Sequence, residues 1–116
     1  MGALKEAALT RSDRIRALND LARKTFLGTQ VVVTSAFAEL PSQTKATILD
    51  RVRTFNDFDG GNDPHHEHDF GCIEHEGEKY FFKFDYYSPD MRHGSDDPGD
   101  PKKTQRVLTI MLASDY

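Results

Sequence analysis

The chain has 116 residues, 37% apolar and 29% charged, with a single cysteine; this is one globular domain without an internal disulfide, as fits a reducing cytoplasm. No apolar run approaches the roughly 20 residues that a membrane span requires, and the N-terminus lacks the apolar stretch of a secretory signal, so a soluble cytoplasmic protein is expected. Residues 1–55 hold nine Lys and Arg against five Asp and Glu, residues 56–101 three against thirteen, and residues 102–116 three against one; the acidic middle argues against a nucleic-acid backbone as partner and suits a cation or a basic protein surface.

In chain order, residues 1–11 are expected to form a flexible extension and residues 12–116 one α+β domain. Ser12 is placed as the N-cap of a first helix, with Asp13 in its first turn where the helix dipole favours negative charge. Ile15, Leu18, Ala22 and Phe26 recur near helical spacing and Gly28 stands where a stop belongs. Arg14, Arg16, Arg23 and Lys24 read as solvated charge. Gln30 to Thr34 is short and β-branched, a strand with both faces covered. A second helix is expected at 43–55, after Pro41 and Ser42, with Ile48, Leu49, Val52 and Phe55 as its apolar stripe. Asn56 to Asp63 is a turn-rich acidic loop.

Asp69 to His75 and Glu78 to Tyr87 flank Glu76-Gly77, the pattern of a hairpin with a tight two-residue turn. Tyr80, Phe82, Phe84 and Tyr86 form the core face of the second strand. That register pairs Ile73 with Tyr80, Gly71 with Phe82, and His68 with Asp85. Ser88 to Lys103 is a long polar loop, and loops of this length are often functional. Thr104 to Ala113, apolar on both faces, reads as a central strand. The order α-β-α-β-β-β implies two helices packed on one face of a mainly antiparallel four-stranded sheet.

The densest chemistry lies in Asn62 to Gly71, where His65, His66 and His68 stand among Asp63, Glu67 and Asp69. Known templates miss it. The His-x-Glu at 65–67 resembles that of zinc nucleobase deaminases, which need two further cysteines. The run from His66 to Asp69 approaches that of metallo-β-lactamase-like hydrolases, but Phe70 and Gly71 stand where Asp and His are required, and a one-residue slip turns a strand side chain to the other face. The helical His-Glu-x-x-His of zinc proteases is absent. A divalent-metal site built from His65, His68, Asp69, Asp85 and His93 is one alternative; a metal-free site with His68 as base and Asp85 as its orienter is another. The stronger reading is a loop latch, in which Asp63-Pro64 starts a turn, His68 meets Asp85 across the hairpin, and Gly71 lets Phe82 pack over it.

The stretches Ile15 to Asp20, Asn62 to His65, Glu67 to Gly71, Lys83 to Tyr87, His93-Gly94-Ser95, Asp97-Pro98, Asp100-Pro101 and Arg106 to Ala113 resemble an uncharacterised family, domain of unknown function 3768. Its members look like small proteins of alphaproteobacteria, often carried on plasmids and other mobile elements. In that family's pattern position 66 is usually small, so the resemblance implies no ligand role for His66, and it brings no activity or cofactor.

The expectation drawn from charge and from this context is a non-catalytic, acidic protein-binding module using loops 56–67 and 88–101. Its interaction residues are Asp63, His65, Glu67, His68, Asp69, Asp85, Asp96, Asp97 and Asp100, and its partner a protein with a basic surface. A mobile-element anti-defence role, anti-CRISPR or anti-restriction, by binding a nuclease or surveillance complex, fits that charge. The alternative is a divalent-metal-dependent hydrolase using His65, Glu67, His68 and Asp69 with Asp85 and His93. A basic-helix nucleic-acid binder is the least expected, and no cofactor is favoured.

Overall fold

A computed structural model describes residues 9–116. The elements are α1 (Arg11–Thr25), β1 (Gln30–Val33), α2 (Ser35–Ala38), α3 (Ser42–Thr54), β2 (Phe70–His75), β3 (Glu78–Tyr87), β4 (Gln105–Leu112) and a closing 3₁₀ turn at Ala113–Asp115. The four strands lie in the order β1-β4-β3-β2. The α+β class and the four-stranded sheet stand as expected. The sheet is mixed, however, because β1 runs parallel to β4 while β4, β3 and β2 alternate, and α2 adds a third, one-turn helix. No helix among the described residues is long and apolar enough to cross a membrane.

Helix α1 begins two residues earlier than a Ser12 N-cap would start it. Thr10 is the N-cap: its hydroxyl accepts from the Asp13 amide at 3.1 Å, and the Asp13 carboxylate accepts from the Thr10 amide at 3.1 Å. These bonds, with Arg16, hold the Asp13 carboxyl below its ordinary range. The helix stops at Phe26, which takes the left-handed conformation at φ 59° and donates its amide to Ala22, so Gly28 is not the stop. Of the expected extension, residues 1–8 lie outside the described residues.

The hairpin register is as read: Ile73 faces Tyr80 and Gly71 faces Phe82. Glu76 and Gly77, both at positive φ (51° and 78°), form its turn. Strand β4 takes the centre, with Leu108 and Ile110 fully buried on one face and Val107 and Met111 buried on the other. The even-numbered residues Tyr80, Phe82, Phe84, Leu108 and Ile110 pack with Ala22, Phe37, Ile48 and Val52 into the core between sheet and helices. The opposite face of the sheet carries no α-helix among the described residues; only the closing 3₁₀ turn and Tyr116 reach it.

Strand β1 is not covered on both faces. It is an edge strand, and Val32 and Val33 are 40% and 41% exposed. A β-branched run looks alike at an edge and in a core, and β4, longer and apolar on both sides, holds the inner place.

Candidate functional site

Helix α1 carries polar groups on its buried face. Ile15, Asn19 and Arg23 share that face at four-residue spacing, and all three are almost fully buried. Asn19 donates to the Glu67 carbonyl at 3.1 Å and to the Tyr86 hydroxyl at 2.8 Å, and accepts from Arg106 Nε at 2.8 Å. Tyr86 in turn donates to Glu67 Oε1 at 3.0 Å. Arg106 lies over the Tyr86 ring and donates to the Pro98 carbonyl, which ties the 88–103 loop into the same network. Burial pushes the Tyr86 hydroxyl pKa far above its ordinary value, with Glu67 and Asp69 adding to the effect, so the phenol remains a neutral donor. Burial also lowers the Arg106 pKa, which Tyr86 and Glu67 partly oppose.

Arg23, expected in solvent, is 2% exposed. It donates to the carbonyls of Val52, Arg53 and Phe55 at 3.1, 3.2 and 2.7 Å, and so caps the C-terminal end of α3. Its second nitrogen reaches Asp20 at 3.0 Å, and its plane lies over the Phe58 and Phe82 rings.

His68 does not face Asp85. Positive φ at His66 (59°) and His68 (55°) curls the chain away from strand geometry, and β2 starts only at Phe70. The His68 ring instead turns to α1: Nδ1 donates to Asp20 at 2.8 Å, Nε2 lies 3.6 Å from Asp63, and the ring stacks on Phe58 with centroids 3.8 Å apart. Asp63 is 3% exposed and accepts the amides of Glu67 and His68, both at 3.0 Å. The loop is latched, but to α1 rather than across the hairpin. Asp85 pairs with Lys83, two residues back on the same face of β3.

The acidic loops spend many of their carboxylates on their own turns. Asp59 accepts from Gly61 and Asn62, Asp90 from Ser88 and Arg92, Asp97 from Gly99 and Asp100 from Lys102. Asp96 is exposed. His93 is exposed and donates Nδ1 to the Gly94 carbonyl at 2.9 Å.

Three candidates do meet on the uncovered side. His65, Asp69 and Asp85 line one recess with Lys83 and Tyr116. The recess shares Lys83, Asp85 and Tyr116 with a broad open groove of about 720 Å³, floored by Val32, Val107, Thr109 and Met111 and reached by Met91 and Asp115. Glu67 and His68 belong to the α1 side and His93 to an exposed turn. Among the described residues no three His, Cys, Asp or Glu side chains are grouped to hold a metal ion, so the ligand set of the alternative metal reading is not assembled.

Burial raises the Asp69 pKa, and Glu67 and Asp63 add to the rise. A carboxyl whose folded pKa exceeds its unfolded value favours folding below the unfolded pKa and loses that contribution as pH rises through the folded one. Asp69→Asn should therefore melt above wild type at neutral pH. The gap should close once pH falls below about 3.9, where aspartate is protonated in both states. Melting curves across pH check this; a variant that melts lower at neutral pH would show Asp69 to be a stabilising charge.

Residues 33–115 match a family model described as "Protein of unknown function (DUF3768)". No curated protein and no solved structure matches the chain.

Proposed function

Since the chain belongs to the DUF3768 family of proteins of unknown function, we propose from its own geometry that it is a non-catalytic protein-binding module whose recognition surface is the face of the sheet that no α-helix covers. The observation that carries this reading is the groove itself. Its floor is apolar, and the carboxylates of Asp69, Asp85 and Asp115 stand around it and the adjoining recess against the single ammonium of Lys83. Three negative groups against one positive favour a basic partner segment, and an apolar floor supplies the contact area that charge alone does not.

Both acidic loops border this face, the 56–69 loop through Asn62, Pro64 and His65 and the 88–103 loop through Met91. Their role here is to steer a basic partner toward the floor, an effect that salt weakens. A nuclease or surveillance complex bound by a mobile-element anti-defence factor presents basic surface of this kind and is the partner class to test first. Asp57 and Asp96 are exposed, so their reversal to lysine leaves the core untouched. A partner captured by the wild type should associate more slowly and bind more weakly with Asp57→Lys/Asp96→Lys, and its affinity should fall steeply as salt rises. A partner held equally by both proteins at all salt concentrations would refute the reading.

A further inference from the structure

Strand β1 is an outer edge of the sheet. Just beyond it, the Thr34 amide donates to Ile110 of β4 at 3.3 Å. Backbone groups alternate sides along a strand, so Gln30 and Val32 also point toward β4, and the amides and carbonyls of Val31 and Val33 point outward. Natural edge strands are commonly guarded by lysine, proline or a bulge. Here no charged residue and no proline occurs from Gly28 to Ala38. Four of the exposed large hydrophobic side chains, Leu21, Leu27, Val32 and Val33, lie on this strand or the α1 end that leads to it.

We propose that β1 pairs antiparallel with β1 of a second copy, about a two-fold axis through Val32, joining two sheets into one of eight strands. The register follows from the outward groups. Only when Val31 meets Val33 of the second copy do all four outward amide and carbonyl groups of each strand find partners, and Val32 then faces Val32 of the second copy as a non-hydrogen-bonded pair. A copy of this chain suits the edge because the segment is neutral, so like meets like without repulsion. The most acidic loop, 56–69, leads into β2 at the opposite edge and stays clear of the junction. Gln30, Val32 and Thr34 line the β1 side of the groove, so the second copy would continue the floor beyond the edge strand. The pairing does not depend on the partner-binding reading, because it is measured with no partner present.

Sedimentation and light scattering of the full chain over a concentration series should show the mass rising twofold. Val32→Lys and Val32→Glu should each be monomeric, since like charges would face each other at the axis. Mixing the two should restore the dimer, and that rescue separates a lost contact from a lost fold. In a Cys72→Ser background, Val32→Cys should link two chains on mild oxidation, because facing Cα atoms in such a pair lie within disulfide reach; Thr29→Cys should not. Wild type that is monomeric at every concentration, or a dimer that survives Val32→Lys or fails to link through Val32→Cys, would overturn the proposal. Amide protection of β1 that appears only when another protein is added would assign the edge to that protein and overturn it equally.

Discussion

Arg23→Ala should cost the fold about 3–5 kcal/mol, the scale for truncating a large buried side chain and losing its charge-assisted hydrogen bonds to buried acceptors. The loss has three parts. The carbonyls of Val52, Arg53 and Phe55 lose the donor that caps α3, Asp20 loses its 3.0 Å partner, and Phe58 and Phe82 lose the plane that covers them. Arg23→Lys should recover only part of it, because an ammonium lacks the fork that reaches several oxygens at once. Arg23→Met should keep the packing of the stem and lose the cap. Urea unfolding followed by circular dichroism gives the three values. Were Arg23 a solvated surface charge, all three changes would fall within about 0.5 kcal/mol of wild type, and that outcome would remove the arginine from the structural account.

The second large effect is expected at Gly71. A Cβ there would lie 2.3 Å from Phe82 Cε2 and 3.0 Å from Phe55 Cε2, too close for either ring to stay where it is. Phe82 is fully buried, with Phe55 packed edge-on at 5.2 Å and Phe58 at 6.3 Å, so it has no free space to enter. Gly71→Ala should therefore destabilise by about 3 kcal/mol, the upper part of the overpacking range. Phe82→Leu in the same chain should return some of that loss, since the smaller side chain vacates the contested volume. The double mutant should then be less destabilised than the sum of the single changes. Strict additivity in chemical unfolding would show that the two residues do not compete for space.

The hairpin could be read from the sequence because two independent signals agree there: alternation along Tyr80, Phe82 and Phe84, and a Glu-Gly pair fit for positive φ. Extrapolating that register to His68 and Asp85 failed because it assumed extended backbone beyond Phe70. The chain turns at His66 and His68 instead, and nothing in two histidines announces a left-handed conformation. The short helix α2, in Ser35-Ala36-Phe37-Ala38, is too brief to show a period. The buried polar groups of α1 did carry a signal, since Asn19 and Arg23 fall on the same four-residue spacing as Ile15. Reading the arginines of α1 as one solvated set concealed it. The acidic loops were visible as charge, but composition does not distinguish a carboxylate that bonds a turn amide from one left to meet a partner.

The placement of β4 also governs when the domain can form. It is the strand on which both β1 and the β2–β3 hairpin depend, yet it is the last strand in sequence. As the chain is synthesised, α1, β1, α3 and the hairpin all emerge before there is a sheet for them to share. Until residues 105–112 are available, the apolar face of the hairpin and the edge of β1 have no common seam. Long-range pairings of this kind close slowly and leave unpaired strand edges exposed while they wait. A chain interrupted in the 88–103 loop would thus possess most of the domain's residues and little of its cooperativity.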